Sequence, residues 1–214
     1  TLAATGPAAD PDARLTLSAP SLSVEGMGDG KLDLTAEGRS LLSAPQVAAQ
    51  GSGAVGDRPI AIDIRAAPRR AGSIDIPALL ARFGPAELSG SGSVTADRRP
   101  DVRLSLTAPD LAGVAPGLAG AVEATLVTTP DDAGGVTARL EATGRDIDAA
   151  GNRVGRLTAK ATVTDAMRAP GIDAEVTAGR VAAGGLAGDL TAAAKGTLET
   201  LDLKIGFKGP DLAL

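Results

Sequence analysis

The chain has 214 residues, 43% of them hydrophobic, with a net charge of −5, only two Phe, and no Tyr, Trp, Cys or His. That length fits one large domain or two ordinary ones. The missing Cys and His exclude a disulfide framework, thiol chemistry, Cys zinc ligands and the usual general base, and interspersed charge with a negative balance argues against nucleic acid as a partner.

Residues 1–13 read as a linker or frayed end, and a chain opening on Thr1 rather than Met is expected to be a piece of a longer protein. From residue 14 an alternation of period two takes over. RLTLSAPSL (14–22) puts Leu15 and Leu17 on one side. In KLDLTAEG (31–38), Leu32, Leu34 and Ala36 face away from Lys31, Asp33, Thr35 and Glu37. GRSLLSAPQVAAQGSG (38–53) loses the pattern, so an irregular insertion, loop or helical turn, is expected near 38–58. PIAIDIRA (59–66) gathers Ile60, Ile62 and Ile64. DIPALLARFG (75–84) carries Pro77 near a first turn and Gly84 at its end, which predicts a short helix.

DVRLSLTA (101–108) then gathers Val102, Leu104, Leu106 and Ala108, and Val122, Ala124 and Leu126 follow. Val136, Ala138, Leu140 and Ala142 make the next set. Leu157, Ala159, Ala161 and Val163 oppose Thr158, Lys160 and Thr162; Ile172, Ala174, Val176 and Ala178 oppose Asp173, Glu175 and Thr177. LDLKIGF (201–207) ends the series with Leu201, Leu203, Ile205 and Phe207. These sets amount to roughly ten to thirteen half-buried strands, joined as antiparallel hairpins by Gly, Pro and Asp turns, with at most one or two short helices. RLSLTAPDL (103–111) repeats RLTLSAPSL, and AIDIRAAP (61–68) and DLKIGFKGPDL (202–212) are looser relatives. Each copy reads as an amphipathic strand stopped by Pro.

The predicted fold is all-β, and its one-sided sheet must cover a dry face. Helices are too few to do so. Either the sheet closes as a sandwich, a structural or adhesin-like module without lipid, or it curls into an elongated trough covered by a guest. Ala alternates with Leu or Val along most strands, which leaves room, and about twelve strands at ~4.8 Å spacing would give a trough on the order of 55 to 60 Å. An outer-membrane barrel is disfavoured, because such barrels carry aromatic girdles.

Other chemistry finds little support. GSGAVG (51–56) matches G-x-G-x-x-G but runs into a strand, so a flexible loop is expected, and GSGSV (90–94) reads as a turn into a strand. DIDAAGN (146–152) offers Asp146, Asp148 and Asn152 but lacks the third oxygen ligand and final Glu of a calcium loop, so a turn is expected there and at Asp131 and Asp132. The pairs Arg69 with Arg70 and Arg98 with Arg99 lack aromatic neighbours for base stacking. No metal, no cofactor and no enzymatic activity are expected.

The segment GRDIDAAGNRVGRLTAKATVTDAMRAPGIDAEVTAGRVAAGGLAGDLTAAAKGTLETLDLKI (144–205) resembles the repetitive periplasmic body of TamB-type proteins in the AsmA-like superfamily, as does AELSGSGSVTADRRPDVRLSLTAPDL (86–111). The resemblance lies in texture: strings of x-L-x-A-x strands, Gly-x-Leu turns and Pro-marked ends. It implies a segment of a Gram-negative protein anchored in the inner membrane and spanning the periplasm. The apolar groove of such a protein carries phospholipid towards the outer membrane, and an Omp85-type barrel pairs with it through parts of the parent chain outside this sequence. The dry-face residues from Leu15 to Phe207 would then line the groove and contact acyl chains.

Overall fold

The computed structural model describes residues 1–7, 9–24, 26–40, 46–69 and 72–209. Two compact units divide the chain, Thr1–Val102 and Arg103–Leu214. The first holds β1 (Leu2–Thr5), β2 (Asp12–Val24), β3 (Gly28–Arg39), β4 (Gln46–Val55), β5 (Arg58–Pro68), β6 (Ile74–Phe83) and β7 (Ala86–Val94). β8 (Pro100–Ala108) begins in the first unit. The second unit continues with β9 (Leu118–Pro130), β10 (Val136–Ala149), β11 (Asn152–Thr164), β12 (Gly171–Ala183), β13 (Leu186–Thr197) and β14 (Leu201–Lys208). The fold is thus all-β, one unclosed antiparallel sheet whose strand order is the chain order, with fourteen strands where ten to thirteen were expected.

Three local expectations are corrected. The first residues are not frayed: Leu2–Thr5 pairs with β2, setting Leu2 opposite Leu15 and Thr5 opposite Asp12. The stretch near 38–58 is largely strand, as β4 and the start of β5, while 41–45 lie outside the described residues. GSGAVG is accordingly not a flexible loop, and GSGSV belongs to β7 rather than to a turn. Between Val47 and Val55 the dry-face positions of β4 are Ala49, Gly51 and Gly53, too small to register as an apolar alternation. Gly53 is required there, because a Cβ would run into the Lys31 carbonyl oxygen on β3.

The third correction concerns the predicted helix at 75–84, which is β6. Its apolar residues Ile76, Leu79, Leu80 and Phe83 fall at helical spacing, but a β-bulge produces that spacing. Ile76 lies opposite Gly92 and Leu79 opposite Gly90, so three residues of β6 span two of β7. The same excess appears towards β5, where Arg65 faces Ala78 and Ala67 faces Asp75. Pro77 sits at the bulge, where its missing N–H costs no ladder bond.

The first copy of the repeated phrase holds a bulge as well. In the first copy, Ala19 faces Leu32 and Leu22 faces Gly30, so β2 runs on through Pro20 rather than stopping. In the second, Ala108 faces Val122, and the Leu111 N–H donates to the Gly120 carbonyl at 2.8 Å. Both copies set three residues of A-P-x-L against two on the next strand. In the first copy Pro20 lies in a bend of the pairing that Leu22 resumes. In the second, β8 ends at Ala108 ahead of Pro109, as expected of a strand stopped by Pro.

A wider dislocation crosses the second unit. Gly144, Leu157 and Ala178 share a row; the next apolar row is Ile147, Val154 and Val181, three residues further along or back in each strand. The flanking strands β9 and β13 advance by only two, and the mismatch appears as register shifts at Arg145/Asp148 and Ala178/Val181. Asp146 (φ 48°) and Arg180 (φ 54°) adopt the left-handed conformation that absorbs the extra residue.

Within each unit, the extensive strand contacts run between ladder neighbours. Among the described residues the buried apolar side chains are only Val55, Ala108, Ala121, Val136 and Ala178, each at a strand end or beside a bulge. A sandwich core would bury whole rows of Leu, Ile and Val between its sheets. Neither unit does so.

Candidate functional site

Residues directly opposite each other in a ladder share a face, so the registers decide which apolar side chains meet. In the first unit, Leu2, Leu15, Ala36, Ala49, Ile64 and Leu79 form one row. Leu17, Leu34, Gly51, Ile62, Ala81 and Leu88 form the next, and Ala19, Leu32, Gly53, Ile60, Phe83 and Ala86 a third. Val102 lies against Gly92, where a methyl group would come within 2.7 Å of the Val102 side chain.

The second unit repeats the arrangement. Leu104, Leu126, Leu140, Ala161, Ala174, Ala194 and Leu203 make one row. Leu106, Ala124, Ala142, Ala159, Val176, Ala192 and Ile205 make another. Ala108, Val122, Gly144, Leu157, Ala178, Leu190 and Phe207 complete the third. Val163, Ile172 and Leu201 lie in a shorter row towards the strand ends, Ile172 and Leu201 both flanking Gly196.

Within each unit, then, the residues expected on the dry face share one face. Their accessibility varies. Leu17 is 51% exposed, Leu203 61% and Ile205 66%, whereas Val136 at 2% is closed to any guest. The sequence reading missed Leu79, Phe83 and Leu88, hidden behind the bulge in β6, and Leu190, whose alternating neighbours from 188 to 196 are only Gly and Ala. It also missed Ile147, Val154 and Val181, which fall out of phase with the residues before them. A change of alternation by one residue at an Arg-Asp or Gly-Arg step would have been the signal.

The opposite face is polar and largely charge-matched. Arg82 and Glu87 meet at 2.7 Å, Lys195 and Asp173 at 3.3 Å, and Lys160 and Glu141 at 4.0 Å. Thr143, Thr158, Thr177 and Thr191 form a continuous β-branched row on this face. A depression of about 690 Å³ lies among Arg139, Glu141, Lys160, Asp173, Glu175 and Lys195.

Among the described residues two carboxylates depart from the ordinary range, Asp97 in a turn and Asp148 at the end of β10 beside one. Asp97 is held low by the Thr95 hydroxyl and by Arg99. Asp148 is held low first by Arg153, at 2.9 Å, and then by the Gly151 N–H at 3.2 Å. Asp148 thereby closes the Ala150-Gly151 hairpin, as a turn reading of DIDAAGN anticipates, and Asp131 does the same for its loop by accepting the Gly135 N–H at 2.7 Å. No group of three potential metal ligands occurs among the described residues. The arrangement offers apolar contact area on one face and largely matched charge on the other.

No family model, curated protein or solved structure matches the chain.

Proposed function

We propose that this chain is a segment of a β-groove protein whose apolar sheet face carries phospholipid by its acyl chains. The observation that supports the reading is the set of apolar rows, continuous from strand to strand within each unit and left without a covering layer. Burying an acyl CH₂ is worth about 0.8 kcal/mol, and Leu, Val, Ile and Ala walls take it up without polar specificity. Seven strands at ~4.8 Å span about 30 Å, comparable with the hydrocarbon thickness of a bilayer. With the AsmA-like texture of the sequence, the reading extends to a parent protein that is anchored in the inner membrane and crosses the periplasm. That parent would deliver phospholipid towards the outer membrane, with an Omp85-type barrel as its partner. The role is transport, without catalysis, a cofactor or nucleic acid.

Gentle purification from a Gram-negative host, with mass spectrometry of extracted lipid, tests the reading. We expect phospholipid above the level found with a β-rich control protein. Leu104→Asp places an unpaired carboxylate between Leu126 and the acyl chains. It should lower lipid occupancy by at least about tenfold, while Ser105→Asp on the polar face leaves it unchanged. Lipid at the control level, or equal retention by both variants, would exclude the apolar face as the carrier.

A further inference from the structure

Charged side chains directly opposed across the described ladders are of unlike sign almost everywhere. Arg14 faces Glu37, Arg82 faces Glu87, Glu141 faces Lys160, Asp148 faces Arg153 and Asp173 faces Lys195. One place breaks the pattern: Arg145 of β10 faces Arg156 of β11. Like charges in this position destabilise a sheet, and neither guanidinium has an ion-pair or hydrogen-bond partner among the described residues.

Both arginines line a depression of about 270 Å³ together with Thr143, Thr158 and Glu123. Thr143 and Thr158 are themselves in direct register beside the arginines, so two hydroxyls flank two guanidiniums. Neighbouring charges are already engaged. Arg180 lies 3.8 Å from Asp146 and donates to the Gly155 carbonyl at 3.3 Å, while Asp189 accepts the Arg180 backbone N–H at 2.9 Å. Two cations therefore line this depression against the single carboxylate of Glu123. In the larger depression on the same face, by contrast, Lys160 and Lys195 each meet a carboxylate.

We propose that Arg145, Arg156, Thr143 and Thr158 form a binding site for a phosphate group. Planar guanidinium forks match a phosphate oxyanion in charge and geometry, the hydroxyls add donors, and a bound anion removes the repulsion that the bare pair carries. A local rule broken at one position of an otherwise consistent sheet marks a functional position. The phosphate could belong to a small soluble phosphate compound or to a lipid headgroup at a membrane surface. The site stands on the face opposite the apolar rows and does not depend on the carriage of lipid tails.

The test compares wild type with Arg156→Gln and Arg156→Glu. Inorganic phosphate and glycerol 3-phosphate are titrated by calorimetry, and co-sedimentation is measured with phosphatidylcholine vesicles containing phosphatidylglycerol. We expect binding by wild type and a loss of at least about tenfold in Arg156→Gln. In chloride without phosphate, Arg156→Glu, which restores an unlike pair, should unfold at the same or higher urea than wild type. Binding of the soluble phosphates without vesicles assigns a free phosphate; vesicle binding that the variants lose assigns a headgroup. No binding in either form, or a phosphate response equal in all three proteins (the general effect of a kosmotropic anion), would overturn the proposal. So would Arg156→Glu unfolding earlier than wild type in chloride.

Discussion

Asp148 stands at the end of β10 and accepts two hydrogen bonds, from the Arg153 Nε–H across the hairpin and from the Gly151 backbone in the turn. The Arg153 bond is the larger cause of its lowered pKa. A carboxyl whose folded pKa lies below its unfolded value contributes stability that is present above the unfolded pKa and lost as pH falls through the folded one. Acidification below the ordinary value of 3.8 should therefore loosen this hairpin before the ladder around it. Arg153→Met should move the Asp148 titration up towards that value, as followed by the carboxyl chemical shift. An unchanged titration would mean that Arg153 does not set it. Little of this was visible in DIDAAGN beyond the turn itself: Asp and Gly at a hairpin are readable, but the partner five residues on is fixed only once the register is known.

Strands tolerate an extra residue only where the pairing can bulge, and that difference is measurable. Removing Pro77 from β6 leaves Ile74 and Ile76 in phase with Leu79, Ala81 and Phe83, because the bulge had absorbed one surplus position. Removing Asp63 from the regular pairing between β4 and β5 instead turns Ile60 and Ile62 to the polar side relative to Ile64. We expect deletion of Pro77 to change stability by no more than about 1 kcal/mol. Deletion of Asp63 should cost clearly more, because half-buried Ile60 and Ile62 each lose part of the about 1.5–3 kcal/mol of full burial, read as a fall in the urea midpoint. Equal effects would mean that register is not what the bulge protects. The same phase logic explains what was legible. Where Leu, Ile or Val alternates with polar residues, as in KLDL, IAIDI, RLSL and LDLKI, strand and face follow directly from the period of two. Where a bulge shifts the phase, as at Pro77, the spacing imitates a helix. Where the dry positions are Gly and Ala, as in the middle of β4, the alternation has no amplitude to detect.

Each unit spends its apolar residues on a face that nothing in the unit covers. Small domains normally gain their stability by hiding such residues between layers; here the backbone ladders and cross-strand pairs hold the sheet while Leu17, Leu203 and Ile205 remain open. An uncovered face of this kind invites aggregation, a hazard that the proposed acyl-chain occupant would remove. Composition foreshadowed the thinness of the apolar layer, since large aromatics are nearly absent. It could not tell an Ala-rich sandwich core from an open wall, because the two differ only in what lies opposite. The most direct measurement is site-specific photocrosslinking in a Gram-negative host, with the probe placed in turn at Arg103, Leu104, Ser105 and Leu106 of β8. If the face carries phospholipid, lipid adducts will appear at Leu104 and Leu106 and be absent at Arg103 and Ser105, repeating the period of two. Adducts at none of the four positions, or equally at all of them, would contradict it.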